Sequence, residues 1–200
     1  MFVLPFFVFA AGLVGYLLGS LNSSLIVGKF YEVDVRQHGS GNAGTTNTLR
    51  ILGKKAALLV LLGDVAKGVI ACLIGMAIAG GTGVMAAGTA AIIGHNWPVY
   101  FGFKGGKGAL TSMAVLLMMD WKIALVVLGI FAILVGLTRY VSLGSIVGAV
   151  MFPVIAAFFG KDPVFIGFAV IIGALIIFRH HTNISRLLGG TESKLGSKKG

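Results

Sequence analysis

The stretch Gly39-Ser40-Gly41-Asn42-Ala43-Gly44-Thr45-Thr46-Asn47-Thr48-Leu49-Arg50 gathers three glycines, two asparagines, four hydroxyls and one arginine in a chain that is 57% hydrophobic. Glycine tolerates positive φ and close backbone approach, so the N–H groups around Gly39, Gly41 and Gly44 can point into one concavity. The Ser40 and Thr46 hydroxyls and the Asn42 and Asn47 carboxamides add orientable donors. Arg50 can fork two hydrogen bonds onto a phosphate or carboxylate. Such a loop reads as an anion cradle. The plain alternative is a flexible polar connector, but a connector gains nothing from so many donors between apolar segments.

Three further polar stretches carry chemistry. Gly94 to Gly108 holds His95 near its start and then sets Lys104 and Lys107 on a backbone made bendable by Gly105 and Gly106. Arg139 to Ser145 offers Ser145 close to an arginine. Arg179 to Arg186 contains His180 and Asn183. A histidine with an unperturbed pKa of about 6.5 suits general-base work at neutral pH. A phosphate on a substrate could do the same, with His180 only holding the reacting group, and no carboxylate partner for His180 is evident. Packing at the interface beside Arg179 is the structural alternative for this histidine. His95 reads as a shaper of the lysine loop through backbone carbonyls rather than as a substrate contact.

Familiar motifs do not account for these stretches. Gly39 to Gly44 matches G-x-G-x-x-G, but charged sequence precedes it and an apolar run follows, so the required strand and fold are absent. Asp64 stands roughly 20 residues further on, as that motif would want, and is read as coincidence. No G-x-x-x-x-G-K-[ST] or G-x-S-x-G occurs. The positions five after His38, His95, His180 and His181 are Ala43, Tyr100, Ser185 and Arg186, so no His-x-x-x-x-Asp dyad exists. The histidines lack H-x-x-E-H or H-E-x-x-H spacing, and the single Cys72 excludes an intrachain disulfide or a cysteine-based zinc site. No metal and no cofactor is called for.

Apolar segments must position these groups. Only 11% of the residues are charged, and apolar runs recur along the whole chain. This composition predicts an all-α integral membrane protein, a single polytopic domain over 1–200 with a short basic tail from about 187. The net charge of +10 suits an anionic membrane surface and anionic substrates, and no nucleic-acid-reading motif accompanies it. The expected segments are Phe2 to Val27, Ala56 to Ala79, Val84 to Ile93, Gly108 to Met119, Ile123 to Leu137, a span after Ser145 to Gly160, and Val164 to Phe178. Gly80 to Gly83 and Asp120 to Lys122 are turns. The result is a bundle of seven transmembrane helices, or five if the shorter runs do not cross. Ser20, Asn22, Ser23 and Ser24 serve either as helix–helix glue or as the wall of a site. Asp64 and Lys67, three apart on one helix face, form an ion pair or contact a substrate.

With seven crossings, one side holds Lys29, Arg36, Arg50, Lys54, Lys55, Lys104, Lys107, Arg139, Arg179, Arg186, Lys194, Lys198 and Lys199, and the other only Lys122 and Lys161. The positive-inside rule then puts the N-terminus outside and the C-terminus in the cytoplasm. All four polar stretches fall on the cytoplasmic face and are expected to compose one site. A transporter would more often place polar groups near the bilayer midplane.

Three motifs carry a resemblance: G-S-G-N-x-G-x-T-N-x-x-R at Gly39 to Arg50, G-H-x-x-P-V-x-F-G-F-K-G-G-K-G at Gly94 to Gly108, and H-x-x-N-I-x-R-L at His180 to Leu187. In this order and spacing the chain resembles the bacterial acyl-phosphate:glycerol-3-phosphate acyltransferases of the PlsY type, over essentially its whole length. His181 stands where that family would have arginine. The resemblance implies transfer of a fatty acyl chain from acyl phosphate to the sn-1 hydroxyl of glycerol 3-phosphate, giving lysophosphatidic acid for phospholipid synthesis. It implies a multi-pass protein of the bacterial cytoplasmic (inner) membrane with its active site facing the cytoplasm. A soluble phosphotransacylase that produces acyl phosphate is the implied partner, beside membrane lipid.

The same resemblance assigns catalysis to His180, Asn183, Ser40 and Lys107. It assigns phosphate and substrate binding to Gly39, Ser40, Gly41, Asn42, Gly44, Thr46, Asn47, Arg50, Gly105, Gly106, Lys107, Ser145, His180 and Asn183, with Lys104 at the rim. Two alternatives stay open: an acyltransferase that uses acyl thioesters, and a transporter of phosphate or a phosphorylated metabolite.

Overall fold

The computed structural model describes residues 3–196. Phe2 and the end of the basic tail, 197–200 with Lys198 and Lys199, lie outside the described residues. Among the described residues every regular element is helical: α1 (Val3–Gly19), α2 (Ser23–Phe30), α3 (Thr45–Asn96), α4 (Ala109–Met119), α5 (Trp121–Thr138), α6 (Val141–Phe158), α7 (Pro163–Arg179) and α8 (His181–Leu188). Short 3-10 turns occupy Val35–Gln37 and Val99–Phe101. Runs of Leu, Ile, Val and Ala leave the backbone no side-chain partner, so in hydrocarbon it must close its own hydrogen bonds as helix.

Four helical runs are long and apolar enough to cross a bilayer: Leu4–Phe30, Thr45–Phe101, Trp121–Thr138 and Val141–Phe158. The pair α7 and α8, bent by 60°, makes a fifth if taken as one span, and Ala109–Met119 is a shorter apolar helix. The chain divides into two compact units, Met1–Met119 and Asp120–Gly200.

In the first unit, α3 is not one rod. Gly53 (φ 82) kinks it, and Ala79 and Gly80 leave helical geometry, Gly80 with φ 60. A Cβ built on Gly75 would overlap the backbone of Gly83 and come within 2.8 Å of the Ala87 Cβ. At 1.5 Å of rise per residue, a straight helix would hold those positions well over ~10 Å apart. The chain therefore reverses at Gly80, and the arms 54–78 and 81–96 return alongside each other. The expected turn at Gly80 to Gly83 is this reversal, tightened to Ala79 and Gly80.

α1 packs on the second arm through small residues: a Cβ on Gly15 or Gly19 would overlap the backbone of Ala87 or Ala91, and one on Gly94 that of Tyr16. Close backbone approach of this kind is how helices associate where lipid removes the hydrophobic drive. The first arm is bulky outside and small inside. Leu58, Leu59, Leu62, Ile70 and Leu73 are exposed, whereas Ala56, Val60, Ala71 and Cys72 are buried.

The first expected span is interrupted after Gly19, and α2 restarts at Ser23 with the Asn22 side chain accepting from the Leu25 N–H. The polar residues at this break act as glue. Ser24 Oγ meets Thr48 Oγ1 at 2.8 Å, and Ser20 Oγ accepts from the Val99 N–H at 3.4 Å.

In the second unit, Asp120 caps α5 by accepting from the Lys122 and Ile123 N–H groups, and Asp162 caps α7 with Pro163 just inside the helix. Phe152, Phe165 and Phe168 meet edge to face or tilted with ring centroids 6.1 Å apart, joining α6 to α7. A Cβ on Gly173 would come 2.6 Å from the Ala149 carbonyl oxygen, which fixes how closely these two helices approach.

Candidate active site

The cradle is a loop only as far as Gly44. Thr45 starts α3, so Thr46, Asn47 and Arg50 stand on its first turns. Thr46 and Arg50, four apart, share a helix face. Gly44 is the N-cap and supplies no side chain to close the first-turn amides.

Asn47, buried, ties the loop to the helix. Its Oδ1 accepts from the Ser40 N–H at 2.8 Å, while Nδ2 donates to the Val35 carbonyl at 2.9 Å and to the His38 carbonyl at 3.1 Å. Its carboxamide is thus spent on the loop backbone. Gly39 takes φ 62 and Gly41 φ 72. A Cβ at Gly39 would overlap Asn47 Oδ1, so glycine is required there for both conformation and space. Thr48 donates to the Gly44 carbonyl at 3.1 Å and closes the corner. Ser40 and Asn42 are half-buried at the lip, where Gly41 is exposed.

Arg36, which the motif spacing does not single out, joins the cradle to the lysine loop. Its Nη1 donates to the Phe101 carbonyl at 3.1 Å and to the Lys104 carbonyl at 3.3 Å, and Asp34 grips its Nε and Nη2. The hydrogen bond from Arg36 outweighs desolvation and holds the Asp34 carboxyl below its ordinary value. Lys29 adds a cation–π contact 5.3 Å from the centre of the Phe101 ring.

The lysine loop is anchored on the end of α3. His95 is buried in the last turn of α3, and its carbonyl accepts from the Gly106 N–H at 3.1 Å. The Asn96 carbonyl accepts from the Gly105 N–H at 3.2 Å. A Cβ on Gly106 would overlap both His95 Nε2 and the Ala43 carbonyl, so cradle, loop and imidazole converge at one point. The His95 ring meets Lys67, whose Nζ lies 2.8 Å from Nδ1, and the same nitrogen is 3.5 Å from Asp64 Oδ1. Lys67 Nζ is also 2.8 Å from Asp64 Oδ1, and all three side chains are buried. The two charges expected on one face are therefore an ion pair. Lys104 is exposed and Lys107 half-buried.

The second unit holds the remaining candidates. His180 is buried where α7 bends into α8, and its Nδ1 lies 2.8 Å from the Ile176 carbonyl. A carbonyl oxygen only accepts, so Nδ1 carries the proton and Nε2 is the acceptor of the neutral ring. Asn183, buried on α8, donates from Nδ2 to Glu192 Oε1 at 2.6 Å. Ser142 Oγ donates to the same oxygen at 2.6 Å, and Arg186 Nε to Oε2 at 2.7 Å. Burial pushes the Glu192 carboxyl up, but the hydrogen bonds from Ser142, Arg186 and Asn183 outweigh it and leave the group below its ordinary value. Ser145, one turn beyond Ser142, donates to the Val141 carbonyl at 3.1 Å. His181 is exposed, with Nδ1 2.9 Å from the Phe178 carbonyl.

Glu192 and Ser142 are contributors that motif reading missed. The signal for Glu192 was its rarity: it is one of six acids in the whole chain, and it follows shortly after the third motif.

These elements recur in known proteins. A family described as glycerol-3-phosphate acyltransferase matches residues 9–190. A glycerol-3-phosphate acyltransferase of Thermoanaerobacter pseudethanolicus is 49% identical over 187 residues, covering 93% of this chain and 94% of the relative. One of Shouchella clausii is 49% identical over 198 residues, covering 94% and 96%. A crystal structure of PlsY (YgiH), an integral membrane glycerol 3-phosphate acyltransferase in its glycerol 3-phosphate form, superposes with a TM-score of 0.89 at 38% identity, covering 94% of this chain and 96% of that one. The lysophosphatidic acid form of PlsY gives a TM-score of 0.86 at 38% identity, with 94% and 95% covered. Together with its apolar helices, these matches make the chain a multi-pass membrane protein. By family match, by identity over nearly its whole length and by fold, the chain belongs to the glycerol-3-phosphate acyltransferase family.

Proposed function

We propose that this acyltransferase moves a fatty acyl group from an acyl phosphate to the sn-1 hydroxyl of glycerol 3-phosphate, releasing lysophosphatidic acid and inorganic phosphate. The supporting observation is the convergence of Ala43 and Gly106 on His95. It locks two glycine-rich, cation-bearing loops against each other, which suits a reaction in which donor and acceptor both carry phosphate. The related PlsY structures bear glycerol 3-phosphate and lysophosphatidic acid, the acceptor and product of such a transfer.

An acyl phosphate is a mixed anhydride and needs no covalent enzyme intermediate. The hydroxyl oxygen attacks the carbonyl carbon, the new ester bond forms, and the bond from carbon to the phosphate oxygen breaks with its electron pair. Positioning the hydroxyl supplies about 7–11 kcal/mol of the barrier reduction. Each well-placed donor to the carbonyl oxyanion supplies about 3–4 kcal/mol.

Ser40, Arg50 and Lys107, with Thr46 and the cradle amides of Gly39, Gly41, Asn42 and Gly44, hold phosphate. Gly105 and Gly106 let the lysine loop approach, and Lys104 works at its rim. Asn47 contributes by fixing the cradle. Ser145, His180 and Asn183 of the second unit serve the same reaction. His180 Nε2 accepts the hydrogen bond of the attacking hydroxyl. The proton of the attacking hydroxyl ends on the departing phosphate, which leaves as an oxyanion able to take it up.

Seven crossings, an external N-terminus and a site on the cytoplasmic side of a bacterial inner membrane complete the proposal. The reversal at Gly80, which makes two arms of α3, supports the count. The thirteen basic residues on one side against two on the other support the orientation. Purified protein given labelled glycerol 3-phosphate with palmitoyl phosphate or palmitoyl-CoA tests the donor. Lysophosphatidic acid from the acyl phosphate alone is expected. Product from the thioester alone would overturn the donor, and product from neither would overturn the activity.

A further inference from the structure

We propose that Asp64 and Lys67 are positioning residues for the lysine loop, acting through His95, so that a buried ion pair in the first arm of α3 sets where Lys104 and Lys107 stand. The inference deepens the function proposed above and rests on it for its kinetic readout.

A buried ion pair is costly, and apolar residues of similar volume usually pack as well or better. If Asp64 and Lys67 only joined helices, the pair would be an expensive way to do so. Its connections show more. An ammonium has three donors and no acceptor. Lys67 Nζ reaches Asp64 Oδ1 at 2.8 Å, His95 Nδ1 at 2.8 Å and the Leu21 carbonyl at 3.3 Å. The three partners lie on its own arm, at the end of the second arm and in the break between α1 and α2. Lys67 thus pins three segments, and Asp64 aims it.

The link to the loop runs through the ring. His95 Nδ1 faces Lys67 Nζ at 2.8 Å and Asp64 Oδ1 at 3.5 Å, so the pair fixes the ring's orientation and with it the place of Nε2. That edge of the ring faces Gly106 Cα and the Ala43 carbonyl, where even a Cβ would not fit. The backbone of the same histidine receives the Gly106 N–H, and its neighbour Asn96 receives the Gly105 N–H. A rotation of the ring or a shift of the helix end would move Gly105 and Gly106, and with them the two lysines that flank them. Neither Asp64 nor Lys67 needs to touch a substrate for this.

The test uses the full-length protein in lipid nanodiscs with three variants: Asp64→Asn, Lys67→Met and the double variant. Three quantities are measured: melting temperature, the rate of trypsin cleavage after Lys104 and Lys107, and steady-state kinetics with palmitoyl phosphate and glycerol 3-phosphate. Each single variant strands a buried charge or its partner and is expected to melt lower. The double variant removes both charges and is expected to recover most of the melting temperature. It should still be cleaved several-fold faster in the loop and lose on the order of 10²-fold in kcat/KM, chiefly through a raised KM for glycerol 3-phosphate.

A double variant as protected and as active as wild type would show the pair to be structural only and overturn the proposal. Losses in the single variants that track melting temperature alone would do the same. The two proposals fail separately. A wild-type protein that makes no lysophosphatidic acid removes the function, whereas loop protection in the double variant still decides the role of the pair.

Discussion

Asn183 and Ser142, on α8 and α6, donate to one and the same oxygen, Glu192 Oε1, each at 2.6 Å. With Arg186 on the other carboxylate oxygen, Glu192 closes the C-terminal strap over the start of α6. Arg139 reinforces the closure by donating twice to the Leu195 carbonyl, at 2.7 and 3.1 Å, and accepting from the Leu195 N–H at 2.7 Å. A residue assigned to catalysis is thus oriented by one that no motif named. Replacing Glu192 by Ala strands three donors. It should cost at least about 1.5–3 kcal/mol, the usual range for one hydrogen bond to a charged group, and lower kcat through a loosened Asn183. Glu192→Gln, which keeps one acceptor, should lose less of both. Equal turnover in wild type and Glu192→Ala would mean that Asn183 needs no such support.

The carboxylate also gives a pH signature. Glu192 lies below the ordinary glutamate value of 4.5 in the folded chain, so the unfolded chain takes up its proton first. Its contribution is therefore complete above that value and is lost as pH falls through the lower folded one. Melting of the wild type should decline as pH falls below about 4.5 more steeply than melting of Glu192→Gln, which has no proton to gain there. Parallel curves would remove the assignment.

The 2.8 Å contact from His180 Nδ1 to the Ile176 carbonyl allows the two ring nitrogens to be separated by mutation. Asparagine can reproduce the Nδ1–H donor but has no group at the Nε2 position. His180→Asn is expected to melt like wild type and to lose about 10²-fold or more in kcat, because the hydroxyl loses the acceptor that orients it. His180→Ala should lose at least as much and also melt lower. If His180→Asn kept more than about a tenth of wild-type kcat, the hydroxyl would have to be oriented by something else.

Much of this was legible from side-chain types. The cradle, the lysine loop and the His180 and Asn183 pair stood out because polar groups are rare in this chain. The turn near Gly80 was legible because four small polar-leaning residues interrupt an apolar run. What the sequence hid was partnership. Nothing in the spacing says that Asn47 turns its carboxamide onto Val35, His38 and Ser40 rather than outward. Nothing ties Lys67 to His95, because that contact spans the reversal of α3. The helical start at Thr45 was also hidden, since Gly44 caps without a side chain and the usual N-cap signal is missing. The break after Gly19 was missed for the opposite reason: Ser20 to Ser24 looked like the polar end of a continuing helix.

Arg50 and Ser40 test whether the cradle binds phosphate by geometry or by charge alone. Arg50 stands on the first turns of α3, and the Ser40 N–H is fixed by Asn47. Arg50→Lys keeps the charge but loses the planar fork, so at a bidentate phosphate contact it is not a conservative change. It is expected to raise KM for glycerol 3-phosphate about tenfold or more, the equivalent of one neutral-to-charged hydrogen bond. Arg50→Ala, Ser40→Ala and Lys107→Ala should abolish activity while the protein still inserts and melts normally. Kinetics for Arg50→Lys indistinguishable from wild type would reduce Arg50 to a point charge.

Gly80 offers the last test, on the fold itself. Its φ of 60 with ψ of −145 lies in a region open essentially only to glycine, yet a Cβ there would meet nothing within 4 Å. Any effect of Gly80→Ala is therefore conformational rather than steric, and should cost about 1–3 kcal/mol. Gly75→Ala acts differently, because its Cβ would collide with the Gly83 backbone and force the two arms apart. It should destabilise more than Gly80→Ala, and a second small-residue change cannot relieve it, since the obstacle is backbone. The same hairpin can be probed for topology. Single cysteines introduced near Lys55 and His95 should be labelled from one side of the membrane and one at Gly81 from the other, in a Cys72→Ala background. Labelling of Gly81→Cys from the same side as the other two would rule out two crossings by the arms and reduce the number of spans.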